Sequence, residues 1–103
     1  MKEEQARKLH ASGHNCAFSV YEAFTDVNKN VTVAPRPRSE GGKCGAVLAA
    51  EQIIREMNGD SSMFDEEFLS RYGSLKCGGL RGKGPSCNDY VGAAAEIVEK
   101  LIQ

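Results

Sequence analysis

No two cysteines of this 103-residue chain stand as Cys-x-x-Cys. That absence argues against a zinc ribbon and a thioredoxin-type motif, and it excludes the Cys-x-x-Cys-His attachment of a c-type haem. No run of about 18 apolar residues occurs, so nothing is expected to span a membrane. The charge is nearly balanced, at net −1 with a pI of about 6.1, and lacks the basic excess of a general nucleic-acid binder. The opening residues Met1-Lys2-Glu3-Glu4-Gln5-Ala6-Arg7-Lys8 are charged and do not read as a secretory signal. A cytoplasmic location is therefore expected. There is no internal repeat and no low-complexity tract. No nucleophile–base pair of the kind hydrolases use stands out. The length is that of one domain, so residues 1–103 are read as a single four-cysteine helical domain around one core.

What is present is helix punctuated by glycine. Residues 3–12 predict a short polar helix ended by Gly13. Asn15 predicts the cap of a second helix over 16–24, with Cys16, Val20 and Phe24 four apart on one face. Residues 26–30 read as a turn and 31–33 as extended, and Pro35 and Pro37 forbid a helix through Arg38. Gly41-Gly42 opens a third helix over 43–58, stopped by Gly59, with the stripe Cys44, Val47, Leu48, Ile54 and then Met57. Ser62-x-x-Asp65 resembles a capping box for a fourth helix through Tyr72. Its apolar face would be Phe64, Phe68, Leu69 and Tyr72, and Gly73 ends it. Residues 77–86 form a glycine-rich loop containing Pro85. Ser86-x-x-Asp89 then caps a last helix whose seam is Cys87, Val91, Ala94, Val98 and Leu101. The expected fold is all-α, a small bundle of four to five helices with glycine-rich connecting loops.

The chemistry lies in the four cysteines. In a reducing compartment such thiols are metal ligands or redox groups more often than structural disulfides. Cys16, Cys44 and Cys87 are predicted at helix starts, facing inward, and Cys77 in the loop leading into the last helix. Backbone N–H groups and the positive end of the dipole at a helix start favour the thiolate, the form that attacks disulfides and binds metals. Lys43, Lys76, Arg81 and Lys83 lie within a few residues of these thiols. The competing reading makes each cysteine a small buried hydrophobe and each cation ordinary loop charge. His10 and His14 are four apart, and His14, two residues from Cys16, is the candidate substitute ligand. The loop CGGLRGKGPSC lacks phosphate-loop spacing and follows no strand. Asp65-Glu66-Glu67 reads as a favourable charge run in a first helical turn.

At these residues the chain resembles the redox-active protein family named for a C, GCAxxG, C, C cysteine pattern. Gly13-His14-Asn15-Cys16-Ala17 is similar to the first segment, and Gly41-Gly42-Lys43-Cys44-Gly45-Ala46 to the second. Phe68, Tyr72-Gly73-Ser74 and Cys77-x-x-Leu80-x-Gly82 are similar to the third, and Cys87-x-x-Tyr90-Val91 with Ala94-Ala95 to the fourth. The likeness covers most of the chain. One position departs: the second segment usually closes with glycine three residues after its alanine, where this chain has Ala49. The resemblance implies a helical protein of the kind common in anaerobic bacteria, with four functional cysteines and redox activity. Similar domains joined to c-type haem segments favour electron transfer.

The leading expectation is a small redox-active or electron-transfer protein. Its Cys16, Cys44, Cys77 and Cys87 would ligate one iron–sulfur cluster, [2Fe–2S] being the first choice. The alternatives are a metal-free thiol–disulfide module and a structural four-cysteine zinc site in an interaction module. The implied partner is another redox protein, with neither nucleic acid nor membrane, and a homodimer is compatible with the sequence.

Overall fold

The computed structural model describes residues 2–28, 42–80 and 86–102, apart from the side chains of residues 77 and 78. Among these it is an all-α bundle of five longer helices and one short helical turn: α1 (Lys2–Ala11), α2 (Cys16–Ala23), α3 (Gly45–Glu56), α4 (Ser61–Tyr72), α5 (Cys77–Leu80, the single turn) and α6 (Cys87–Leu101). No strand occurs among the described residues, and one antiparallel bridge joins Lys43 to Lys76. Helix α1 lies along α6 and α2 along α3, while α4 closes the bundle against α3 and α6. The buried centre is made by Val20 and Phe24 of α2, Val47 and Ile53 of α3, Phe68 of α4 and Val98 of α6.

Two helix starts form as their local sequence dictates. The Asn15 side chain accepts from the Phe18 N–H at 2.7 Å, which satisfies one of the orphan donors of α2. At α6 the Asp89 N–H donates to Ser86 Oγ at 3.2 Å and the Ser86 N–H donates to Asp89 Oδ2 at 3.0 Å. That is the reciprocal capping box predicted for this position. Gly73 closes α4 in the left-handed conformation, at φ 77°.

Other boundaries differ from the sequence reading, each for a local reason. Helix α3 starts at Gly45, not at residue 43, because the Lys43–Lys76 bridge and a Cys44 N–H bond to Leu75 O (2.9 Å) hold residues 43 and 44 out of the helix. At its other end Asn58, not Gly59, takes the left-handed conformation, at φ 64°. The Asn58 N–H then donates to Arg55 O at 3.0 Å and the Gly59 N–H to Ile54 O at 2.7 Å, a Schellman pair. Helix α4 is capped by Asp60, which accepts from the Ser62 N–H at 3.0 Å. Ser62 is therefore a partner of the cap rather than the cap, and Asp65 lies inside the helix. Leu69 is 42% exposed, so the apolar face of α4 is Phe64 and Phe68 with Tyr72 at its edge. The first four residues of the expected loop, 77–80, are helical. Residues 81–85, and the expected extended and proline segments over 31–38, lie outside the described residues.

Candidate thiol site

Cys16 is the first residue of α2 and is half-buried against the core. Its Sγ lies 3.7 Å from His10 Nε2, a contact from the last turn of α1. The other ring nitrogen of His10, Nδ1, is 3.3 Å from Asn88 Nδ2, which α6 supplies immediately after Cys87. Arg7 fixes Asn88 in turn: Arg7 Nη1 donates to Asn88 Oδ1 at 3.1 Å and to Asp89 Oδ1 at 3.0 Å. The Ser86 backbone N–H and then the Arg7 guanidinium hold the Asp89 carboxyl below its ordinary value, and Asp89 in return raises Arg7. The Arg7 guanidinium rests against Gly92, where a Cβ would collide with it.

Cys44 occupies the cap position of α3 and is only 5% exposed. The starts of α2 and α3 abut. A Cβ built on Gly45 would sit 3.0 Å from Ala17 N and 3.4 Å from Cys16 Cβ. Glycine eases this approach, because a Cβ would press the Ala17 backbone by a few tenths of an ångström. It falls at Gly45, whereas Ala49, the departure from the family pattern, is simply a buried core methyl of α3. The Lys43–Lys76 bridge lays residues 75 and 76 beside residues 43 and 44. The backbone of Cys77, which opens α5, follows directly.

Cys87 corrects the sequence reading. It is the first residue of α6, as expected, but it is exposed rather than inward. The buried stretch of α6 begins at Tyr90 and Val91. A side chain at the first helical position tilts back toward the N-terminus, here past the end of the core. Cys87 continues the stripe of Val91, but the core formed by the described residues stops short of it. Tyr90 nevertheless ties this end together. Its hydroxyl donates to Leu80 O at 2.8 Å, and its ring meets Tyr72 edge-on at 5.0 Å. Burial raises the Tyr90 phenol above its ordinary value, and the charges of Tyr72, Cys44 and Cys87 add to the effect. Cys44 and Cys87 thus both lie within electrostatic reach of one buried hydroxyl. Among the described residues no three His, Cys, Asp or Glu side chains gather as a metal-binding group; the Cys77 side chain is outside that set.

Two further residues depart from the sequence reading. His10, not the expected His14, faces the thiol; His14 stacks on Phe18 with ring centres 4.6 Å apart. The second is Glu51, only 1% exposed on α3. Lys43 Nζ donates to it at 3.2 Å, and Arg55 Nη2 approaches at 3.5 Å. Burial first, and the neighbouring Asp65 carboxyl second, push Glu51 up to about 7 against the pull of Lys43. The upward direction is the physical one, because Lys43 and Arg55 are both partly solvated while Glu51 is not. The sequence held the signal: Glu51 follows Val47 by four residues and so lies on the apolar stripe of α3. The expected cation beside Cys44, Lys43, spends its charge on this carboxyl instead.

Among the described residues no helix is long and apolar enough to cross a membrane. Compared with known proteins, the chain matches no family model, no curated protein and no solved structure.

Proposed function

We propose that this chain is a small redox or electron-transfer protein of the four-cysteine family it resembles. In this reading Cys16, Cys44, Cys77 and Cys87 ligate one iron–sulfur cluster, [2Fe–2S]. The supporting observation is the abutment at Gly45, which sets the starts of α2 and α3 a side chain apart and so brings the Cys16 and Cys44 segments together. The donor set fits the group. Four thiolates are the usual complement of such a cluster, and the helix starts direct N–H groups and positive dipole ends at its negative charge. When bound, the cluster supplies reversible one-electron transfer. The protein supplies the rest. Cys44 and Tyr90 shield one side from water, and exposed Cys87 marks the side open to a partner. That partner is a second redox protein or another copy of this chain, in the cytoplasm.

Protein prepared without oxygen tests the reading directly. Iron and acid-labile sulfide are expected in equal amounts, with visible absorption bands. A colourless protein that takes up no iron on reconstitution overturns it, and stoichiometric zinc with no visible spectrum assigns a structural four-thiolate zinc site instead. The closeness of the Cys16 and Cys44 segments also favours a second reading, a metal-free thiol–disulfide module. Reversible loss of two thiols on mild oxidation of iron-free protein would support that module, and no loss would remove it.

A further inference from the structure

We infer that His10 is a positioning residue that donates a hydrogen bond to the Cys16 sulfur and does not ligate metal. The inference rests on Cys16 being a member of the redox site proposed above. The amide of Asn88 decides which ring nitrogen carries the hydrogen. Arg7 Nη1 can only donate, so the group 3.1 Å from it is the Asn88 oxygen. The Arg7 carbonyl can only accept, so the group 3.1 Å from it is the Asn88 NH2. Rotating the amide by half a turn would oppose donor to donor and acceptor to acceptor, so its orientation is fixed.

The second hydrogen of the same NH2 points to His10 Nδ1, 3.3 Å away. Nδ1 is therefore the acceptor nitrogen of the ring. A neutral imidazole then carries its hydrogen on Nε2. That N–H faces Cys16 Sγ at 3.7 Å, a normal separation for a donor to sulfur. A nitrogen that holds a hydrogen has no lone pair for a metal, so the geometry that suits a hydrogen bond excludes ligation. The relay crosses three helices: Asp89 and Asn88 of α6, Arg7 and His10 of α1, and Cys16 of α2. Hydrogen bonds to the sulfurs stabilise the more negative, reduced state of a thiolate-held centre and raise its potential.

The test compares wild type with His10→Leu and His10→Gln, the second of which keeps an N–H. In the iron-loaded protein His10→Leu is expected to weaken reduction about tenfold, a midpoint lower by about 59 mV for one electron. His10→Gln should stay within about threefold of wild type. Equal potentials in wild type and His10→Leu overturn the inference. So does loss of iron and visible absorption from both variants with the fold intact, the signature of a ligand. If wild type holds no iron, the cluster reading has failed on its own, and alkylation of iron-free protein decides the role of His10. A tenfold loss of thiolate, partly offset by the greater intrinsic nucleophilicity of the less stabilised sulfur, should slow iodoacetamide at Cys16 about threefold in His10→Leu. The rate at Cys87 should not move. An unchanged Cys16 rate overturns the inference in that case.

Discussion

The starts of α3 and α6 both carry a cysteine, and they are built in opposite ways. At α6 the cap comes from the helix's own sequence, Ser86 and Asp89 bonding each other's backbone, and the thiol beside it is exposed. At α3 no side-chain hydrogen bond caps the helix among the described residues. The cap residue is Cys44 itself, buried and held by Leu75 from a distant segment. A self-sufficient start can sit at the surface. A start that relies on its neighbours must be enclosed by them, and the neighbours of α3 are the other cysteine segments. The difference teaches that the thiol end is organised around α3, with α6 contributing from its rim.

The largest effect should come from prising α3 away from its neighbour. Gly45→Val places a side chain against Ala17 N, a backbone atom that cannot rotate aside. A loss of about 2 kcal/mol in urea unfolding is expected, and a variant as stable as wild type would mean that the two helix starts do not touch. The next effect is carried by pH. Glu51 has a folded value of about 7 against an ordinary 4.5, so the folded state holds its proton more tightly than the unfolded chain. The resulting stability is present in full below pH 4.5 and is lost as pH rises through about 7. Wild type should be less stable at pH 8 than at pH 5 by an amount on the order of 1–2 kcal/mol, and Glu51→Gln should flatten that slope. A slope unchanged in Glu51→Gln would remove Glu51 as its source. The smallest effect is at α6, where Ser86→Ala should cost about 1 kcal/mol by thermal or urea unfolding. Loss of cap chemistry there should leave protection of the Cys44 amide unaltered in hydrogen exchange. A matching loss at Cys44 would show the two starts to be one cooperative unit.

Cap chemistry was legible at three local sites and misplaced by one or two residues at two others, where Asp60 rather than Ser62 caps α4 and Asn58 rather than Gly59 turns left-handed. Asn15, Gly73 and the Ser86–Asp89 pair do what their neighbours in sequence require. Legibility failed where a distant segment intervened. The start of α3 moved two residues because Lys43 pairs with Lys76, and no feature near Lys43 announces that bridge. Periodicity put Cys87 on the stripe of Val91 and so inward, which its exposure overturns, because a repeat carries no information about where a core ends. The likeness to a four-cysteine family directed attention to the thiols, not to what surrounds them. His10 meets Asn88 across 78 residues of chain, so the contact exists only once α1 lies along α6. Glu51 could have been found: a charged residue on an apolar stripe signals a buried ion pair.

The seat of Arg7 on Gly92 makes the brace adjustable. A methyl group at 92 would meet only the far end of the Arg7 side chain, which can swing aside at little cost to the bundle. What such a swing moves is the guanidinium that holds Asn88 and Asp89. A single added methyl group could therefore retune the contact at Cys16 while leaving the fold in place.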